Sequence, residues 1–237
     1  MSRLGTALAT PDAKGRYVRR LFSTIADRYD LITVLLSYGQ DRRWKRKLAL
    51  LASISPGARV LDLACGTGDI TFELTARGAH AIGLDITPRM LELASAKRQD
   101  PINPMFVAAD MMALPFAPTQ FDVVTAGYGI RNVPVLRPAI AEIYRVLKPG
   151  GLFLSLDFNR PSSALVRAVY LSYLTIVGSA LGLVLHRDPD TYRYIPESIR
   201  RYPGALAVCD IVCEEGFSSC EYLPVLGGLM AIHRAAR

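Results

Sequence analysis

Val60-Leu-Asp-Leu-Ala-Cys-Gly-Thr-Gly-Asp69 runs from a short apolar strand into a glycine-rich turn, and an amphipathic stretch from Ile70 to Arg77 follows. Gly66 and Gly68 carry no β-carbon, so the backbone can turn tightly and lie against a ligand. Asp62, at the end of the strand, aims a carboxylate into the same turn. A second strand, Ala79 to Asp85, ends in another acid 23 residues after Asp62. An acid at that spacing can take both hydroxyls of a ribose, as at other strand-to-helix crossovers that hold nucleosides. A ligand-free turn in an α/β domain would read similarly, and the rest of the chain has to choose.

A nicotinamide fingerprint needs a third glycine, and Thr71 stands in its place. A pyrophosphate has little use for Asp62, whereas a carboxylate there suits the positive end of a methionine-like ligand. Leu114-Pro-Phe116 precedes Phe121-Asp-Val-Val124, and Val146-Leu-Lys-Pro-Gly-Gly151 precedes a further strand. This ordered set resembles a class I S-adenosylmethionine-dependent methyltransferase, which implies S-adenosyl-L-methionine as cofactor.

The 237 residues, 51% hydrophobic and 21% charged, can bury a large core as one domain. Four cysteines in a chain this long make no disulfide framework. Cys209 and Cys213 lack a nearby histidine, so no metal is expected. Their i, i+4 spacing predicts two small apolar residues on one buried helix face, with thiols reduced. The net charge of +7 is uneven: residues 1–47 hold eleven Lys or Arg against four Asp, and from Leu48 onward 17 basic residues meet 17 acidic ones. The run Arg42-Arg-Trp-Lys-Arg-Lys47 suits RNA, an anionic membrane surface or a solvated helix face. The first residues lack the apolar core of a secretory signal, which points to the cytoplasm.

Strands are expected at Arg59–Ala64, Ala79–Asp85, Met105–Ala109, Phe121–Gly127 and Gly151–Phe158, with helices at Asp69–Arg77, Thr87–Gln99 and Leu136–Leu147 between them. Two further helices, Lys14–Asp27 and Gly39–Leu51, precede the first strand, and a hairpin broken at Pro224 to Gly228 closes the chain. The alternation predicts an α/β, Rossmann-like, mostly parallel seven-stranded sheet with one antiparallel strand. The single domain divides into a basic helical arm (1–54), a cofactor-binding core (55–158), an apolar substrate cap between strands five and six (159–203), and a terminal helix and hairpin (204–237). Ala168 to Leu185 holds 18 uncharged residues in a row, the lower limit for a membrane span. Arg167 and Arg187 bracket it closely, and Ser172, Thr175, Gly178, Ser179 and Gly182 dilute it. It reads as a non-spanning helix over the mouth of the cofactor site, touching a lipid-like substrate or the bilayer surface.

Phe22-Ser-Thr-Ile-Ala-Asp-Arg-Tyr-Asp30 and Trp44-Lys-Arg46 resemble the N-terminal pattern of the quinone-biosynthesis C-methyltransferases. Tyr128-Gly-Ile-Arg-Asn-Val133 resembles the signature that family carries after its fourth strand, and Asp190-Thr-Tyr-Arg-Tyr-Ile-Pro-Glu-Ser-Ile-Arg200 resembles its lid. Gly227-Gly-Leu-Met-Ala-Ile-His-Arg234 resembles its closing strand. The resemblance spans Val18 to Arg234 and implies C-methylation of a prenylated quinol, foremost demethylmenaquinol. The methoxy-polyprenyl-benzoquinol of the ubiquinone pathway and other small apolar acceptors are the alternatives. The resemblance sets Thr67, Asp85, Asp110, Met111 and Gly127 at the cofactor, beside Asp62, Gly66 and Gly68 of the turn. Leu156-Asp-Phe158 stands for a more usual Leu-Glu-Phe, which leaves Asp157 without an assigned role. The implied partners are the quinol and an anionic membrane surface, met peripherally at its inner face. Oligomeric state stays open, a homodimer included.

A quinol ring carbon is a weak nucleophile until its hydroxyl, titrating near ~10, loses a proton. Arg131, just after the fourth strand, can stabilise the oxyanion or orient a water that takes the proton, but with a pKa above ~12 it is no free base. Asn132, Tyr192 and Arg193 are the other polar candidates, with Tyr29 and Asp30 closing from the N-terminal side. Each has an ordinary reading too: tyrosines at helix spacing pack in cores, and Arg193 can hold Glu197. Of the histidines, His80 starts a strand, His186 reads as surface and His233 lies in the last strand, so none reads as a base. The Asn/Asp-Pro-Pro-aromatic turn of base N-methylation is absent after strand four, and no cysteine sits as a C5-methylation nucleophile. No nucleic-acid partner is expected.

Overall fold

The computed structural model describes residues 3–37, 39–100 and 103–237. Its strands are β1 (Arg59–Leu63), β2 (His80–Asp85), β3 (Met105–Ala108), β4 (Phe121–Gly127), β5 (Leu147–Phe158), β6 (Ser219–Val225) and β7 (Met230–Ala236). They form one sheet in the order β3-β2-β1-β4-β5-β7-β6. Only β7 runs against its neighbours, antiparallel to both β5 and β6, as the sequence predicts. The chain steps outward from β1 to β3, then returns to lay β4 on the other side of β1. That reversal opens a crevice at the carboxyl ends of β1 and β4, where open α/β sheets take ligands. The register levels those ends: Leu63 pairs with Leu84 on one side and Ala126 on the other.

The arm holds α1 (Arg3–Ala7), α2 (Pro11–Ile25), α3 (Tyr29–Leu36) and α4 (Asp41–Leu51). Between strands lie α5 (Asp69–Thr75), α6 (Pro88–Lys97) and α7 (Leu136–Val146); α8 (Ala164–His186) and α9 (Asp190–Arg201) form the insertion, and α10 (Ala205–Glu214) precedes the hairpin. Alternation along β1 divides the core. Leu61 and Leu63 pack with Phe121, Phe153, Ile140 of α7 and Val208 of α10. Val60 packs with Trp44 and Leu48 of α4 and with Leu74 of α5.

Several boundaries differ from the sequence expectation for local reasons. α2 starts at Pro11 rather than Lys14, because the Thr10 hydroxyl accepts from Ala13 N at 3.2 Å and Pro11 suits the first helical position. α3 escapes a periodicity search because Tyr29-Asp-Leu-Ile-Thr-Val-Leu-Leu36 is apolar on several sides; Ile32 is buried while Leu31 and Leu35 are exposed. β5 starts at Leu147, since a register shift lets Leu147 pair with Phe121 and Leu152 with Val123, carrying Lys-Pro-Gly-Gly between them. Cys209 is buried facing Cys220, but Cys213 is exposed, so the two do not share one buried face.

By length and composition α8 could cross a membrane. Here it packs Tyr170, Leu171 and Leu174 inward, lays Gly178 against α9 and lays Gly182 against Asp188 and Pro189 just before it. A β-carbon at Gly178 would lie 3.1 Å from Tyr192 O, and one at Gly182 would lie 2.5 Å from Asp188 O. The two helix backbones meet because these positions have no side chain. Its outer face is left apolar and open, with Leu165 75%, Ile176 70% and Val184 78% exposed.

His233, buried in β7, meets Ser155 Oγ at 3.0 Å through Nδ1 and donates from Nε2 to Ala205 O at 3.1 Å. Burial pulls its pKa down to about 4. A histidine whose folded pKa lies below its unfolded ~6.5 contributes stability that is full above ~6.5 and is lost as pH falls through the folded value. The shift amounts to about 3 kcal/mol. Urea unfolding at descending pH should show wild type losing that much relative to His233→Gln between pH ~6.5 and ~4. Parallel losses in the two proteins would place the acid sensitivity elsewhere.

Candidate active site

The turn after β1 is built on positive φ angles at Ala64 (49°), Gly66 (54°) and Gly68 (88°). Gly66 N donates to Asp85 Oδ2 at 2.9 Å and Thr87 N to Asp85 Oδ1 at 2.8 Å, so one carboxylate ties the β1 turn to the end of β2. Burial raises the Asp85 carboxyl above its ordinary range despite these donors. Asp85, Gly66, Asp110, Met111 and Gly127 line a cavity of about 90 Å³. Val18, Arg19 and Phe22 of α2 form its roof. Asp110 accepts from Met112 N at 2.9 Å and pairs with Arg19 at 3.3 Å.

Three residues expected at the cofactor lie off this cavity. Asp62 is sealed below the turn, where it accepts the hydroxyls of Thr71 at 2.6 Å and Thr125 at 2.7 Å. Burial brings its pKa up to about 6. Its place is that of a brace, since both oxygens are spent inside the core. Thr67 donates to Asp30 Oδ1 at 2.6 Å, and Lys97 holds the other Asp30 oxygen at 2.6 Å, so α3 is pinned to the turn. Gly68 starts α5, where a β-carbon would lie 2.7 Å from Phe72.

The lining still suits a nucleoside sulfonium. Asp85 offers acceptors for hydroxyls, Met111, Leu84 and Ile86 offer apolar surface for a base, and Gly66 exposes backbone. Lys14 fastens α2 by donating to Arg131 O at 3.0 Å and Val133 O at 2.6 Å.

A second, apolar cavity of about 600 Å³ opens beside the first. Tyr29, Tyr128, Arg131, Asn132, Thr191 and Tyr192 are among its polar groups, and Leu165, Val166 and Val169 of α8 reach its lining from the exposed face. Phe22, Tyr29, Tyr128 and Asn132 line both cavities and form the wall between them.

Arg131 is buried and already paired. Its Nη1 donates to Asp157 Oδ1 at 2.8 Å, its backbone N to Asp157 Oδ2 at 3.0 Å and its Nε to Ser198 Oγ at 3.0 Å. The guanidinium lies 4.9 Å from the centre of the Phe158 ring. A free cation aimed at a substrate oxyanion is therefore not what this residue presents. Asp157, which the sequence left without a role, is its counterion, and burial still raises that carboxyl above its ordinary range. Asn132 donates to Tyr128 O at 2.7 Å and accepts from Tyr194 OH at 2.9 Å.

Tyr192 lines the large cavity with its hydroxyl 2.9 Å from His186 Nε2, so His186 is half-buried and partnered rather than surface. Arg193 lies outside both cavities. One residue is a 100° step on a helix, and with Tyr192 and Tyr194 buried Arg193 turns to solvent, where it pairs with Asp190 at 2.8 Å. Glu197, its expected partner, holds Arg200 and Arg201 instead. Tyr29 lines both cavities, its phenol pushed up to about 12 by burial.

Sequence reasoning missed a polar cluster behind the wall. Tyr128 OH donates to Asp41 Oδ1 at 2.7 Å, and Lys45 bridges Asp41 at 2.6 Å and Asp69 at 2.9 Å. Burial works against the Lys45 ammonium, yet Asp41, Tyr29 and Asp69 hold its pKa above the usual range. The signal was available: Tyr128 directly follows Gly127, and Asp41 and Lys45 stand one helical turn apart. A basic run reads as solvated, however, and its inner face is not.

The ubiE/COQ5 methyltransferase family matches residues 10–237. The demethylmenaquinone methyltransferase of Mycolicibacterium paratuberculosis is 38% identical over 226 residues, 95% of this chain and 96% of that protein. The ubiquinone/menaquinone biosynthesis C-methyltransferase UbiE of Shewanella frigidimarina is 35% identical over 243 residues, 98% and 95% of the two chains. Among solved structures, a SAM-dependent methyltransferase from Thermotoga maritima superposes with a TM-score of 0.64 at 18% identity, covering 92% of this chain and 99% of its own. At that identity the likeness concerns the fold alone.

Proposed function

The chain belongs to the ubiE/COQ5 methyltransferase family, and on that premise we propose that it methylates the ring of demethylmenaquinol while held on the face of a membrane. It is an S-adenosylmethionine-dependent C-methyltransferase of quinone biosynthesis. The observation that carries the finer reading is the pair of cavities with one wall. A small cavity with the carboxylates of Asp85 and Asp110 in an otherwise largely apolar lining suits a nucleoside, and a large apolar one suits a prenylated ring.

In this reading Asp85 takes the ribose hydroxyls, Met111 and Asp110 border the adenine, and Gly66 and Gly127 let the ligand approach the backbone. When bound, S-adenosylmethionine supplies a methyl group on a sulfonium. The chain aligns the acceptor ring at the wall formed by Phe22, Tyr29, Tyr128 and Asn132, and its apolar lining keeps water out. Arg131, neutralised by Asp157, ties the segment after β4 to Ser198 of α9, while Tyr128 O and Tyr194 OH hold Asn132. Tyr192 closes the cavity from α9. The prenyl tail leaves past Tyr170 and Leu174 toward Leu165 and Val169, which are open to the outside.

That exposed apolar face, with Arg42, Arg43, Arg46 and Lys47 exposed on α4, supports reversible attachment to an anionic surface from the cytoplasm. Each such cation contributes about 1 kcal/mol near an anionic bilayer, less as salt rises. The test is methyl transfer from labelled S-adenosylmethionine to short-chain demethylmenaquinol carried in anionic vesicles. Product should form fastest on this head group and fall steeply with salt or with Arg42, Arg43 and Arg46 neutralised. A preference for the methoxy-benzoquinol acceptor would reassign the head group. Indifference to vesicle charge would remove the membrane from the reading.

A further inference from the structure

We propose that Tyr128 accepts the proton of the substrate hydroxyl while passing its own to Asp41, so that this pair is the proton acceptor of the methyl transfer. The proposal rests on the quinol-methyltransferase reading above. Tyr128 belongs to the wall shared by the two cavities, where acceptor ring and methyl donor have to meet. Its backbone is held at a φ of +58°, a strained setting for a residue with a β-carbon, of the kind that collects at functional sites. Its hydroxyl lies 2.7 Å from Asp41 Oδ1, and Asp41 is buried, its backbone N held at 3.1 Å by Ser37 Oγ.

Of the other polar groups at the wall, Asn132 is bonded at both ends of its amide, and burial pushes the Tyr29 phenol up to about 12. Among the described residues of the wall, Tyr128 is the one whose side chain is hydrogen-bonded to a carboxylate. Burial, and then Asp41, push the Tyr128 phenol well above its ordinary range, so it relays a proton rather than standing as an anion.

The step balances within these groups. The substrate O–H bond breaks, its proton bonds to Tyr128 Oη, and the Tyr128 proton bonds to Asp41 Oδ1. The bonding pair stays on the substrate oxygen as a phenolate, and Asp41 becomes neutral. As the ring carbon takes the methyl group, the sulfonium S–C pair stays on sulfur; the ring C–H proton then leaves to solvent water at the open end of the cavity past Leu165 and Val169, and the C–H pair restores the aromatic ring. The oxygen then recovers its proton from Asp41 through Tyr128. Lys45 keeps Asp69 as partner while Asp41 is neutral. The charged and titratable groups facing Asp41 are Lys45 on its own helix, Tyr29 of α3, Asp69 of α5 and Tyr128.

The test compares wild type, Tyr128→Phe and Asp41→Asn with short-chain demethylmenaquinol, measuring kcat from pH 6 to 10 and S-adenosylmethionine binding by calorimetry. Tyr128→Phe removes one oxygen and keeps the ring, so the fold is retained. Its kcat should fall about 10²–10⁴-fold, with cofactor affinity unchanged. The deficit should shrink as pH approaches ~10, where the substrate hydroxyl ionises unaided. Asp41→Asn should show the same pH-dependent deficit. A Tyr128→Phe enzyme with kcat within threefold of wild type at every pH overturns the proposal. A wild type that methylates no quinol overturns the underlying reading instead, so the two failures are distinct.

Discussion

Asp157→Ala is expected to cost the fold about 3–5 kcal/mol, because it strands the Arg131 cation in the interior. The guanidinium is 4% exposed and Asp157 1%, and no solvent can take over the lost contact. The carboxylate also anchors Arg131 N and Phe158 N, so two backbone donors lose their acceptor. The double variant Arg131→Met with Asp157→Leu should regain only the part owed to the stranded cation, since an apolar pair carries no ionic desolvation penalty while Arg131 N and Phe158 N stay without their acceptor. Urea unfolding of the three proteins measures this. A single variant within 1 kcal/mol of wild type would mean that the pair is not formed in solution. Turnover should fall in the double variant even where stability returns, because Ser198 of α9 loses the guanidinium that ties it to the segment after β4.

Asp85→Ala should weaken S-adenosylmethionine binding by at least 10- to 150-fold. A charge-assisted hydrogen bond to ribose hydroxyls is worth ~1.5–3 kcal/mol. The substitution also releases Gly66 N and Thr87 N, the donors that hold the turn after β1 to the end of β2. Asp85→Asn keeps an acceptor for one of them and should lie between alanine and wild type. Calorimetric titration decides it, and an unchanged dissociation constant would remove Asp85 from the site.

The sheet was legible because each strand carries its own evidence: an apolar run, a punctuating turn, and a helix of the right length behind it. Phe121–Gly127 was located to the residue, and the other strands differ at their ends, where pairing with neighbours decides. Tyr29, Asp85 and Gly127 were legible for a similar reason, since they sit at or next to strand or helix ends in recognisable signatures. Partnership was not legible. Asp62 and Arg131 carry the right chemistry at the right places, yet Thr71 and Thr125 consume one and Asp157 neutralises the other. Those partners lie up to 63 residues away in sequence for Asp62 and 26 for Arg131. Arg193 shows the opposite limit: a signature names a stretch, but the rotation of α9 decides which of its side chains face inward.

The wall formed by Phe22, Tyr29, Tyr128 and Asn132 has two faces, and in the proposed reading each bounds a different ligand's space. Any turn of the Phe22 ring that makes room on one side changes the shape of the other. The affinities for methyl donor and quinol are then one joint quantity. Thermodynamic reciprocity fixes its symmetry: the factor by which bound donor alters quinol affinity equals the factor by which bound quinol alters donor affinity. On the proposed reading, quinol bound on one face of these four side chains would adjust how tightly the methyl donor is held on the other, with no separate effector site.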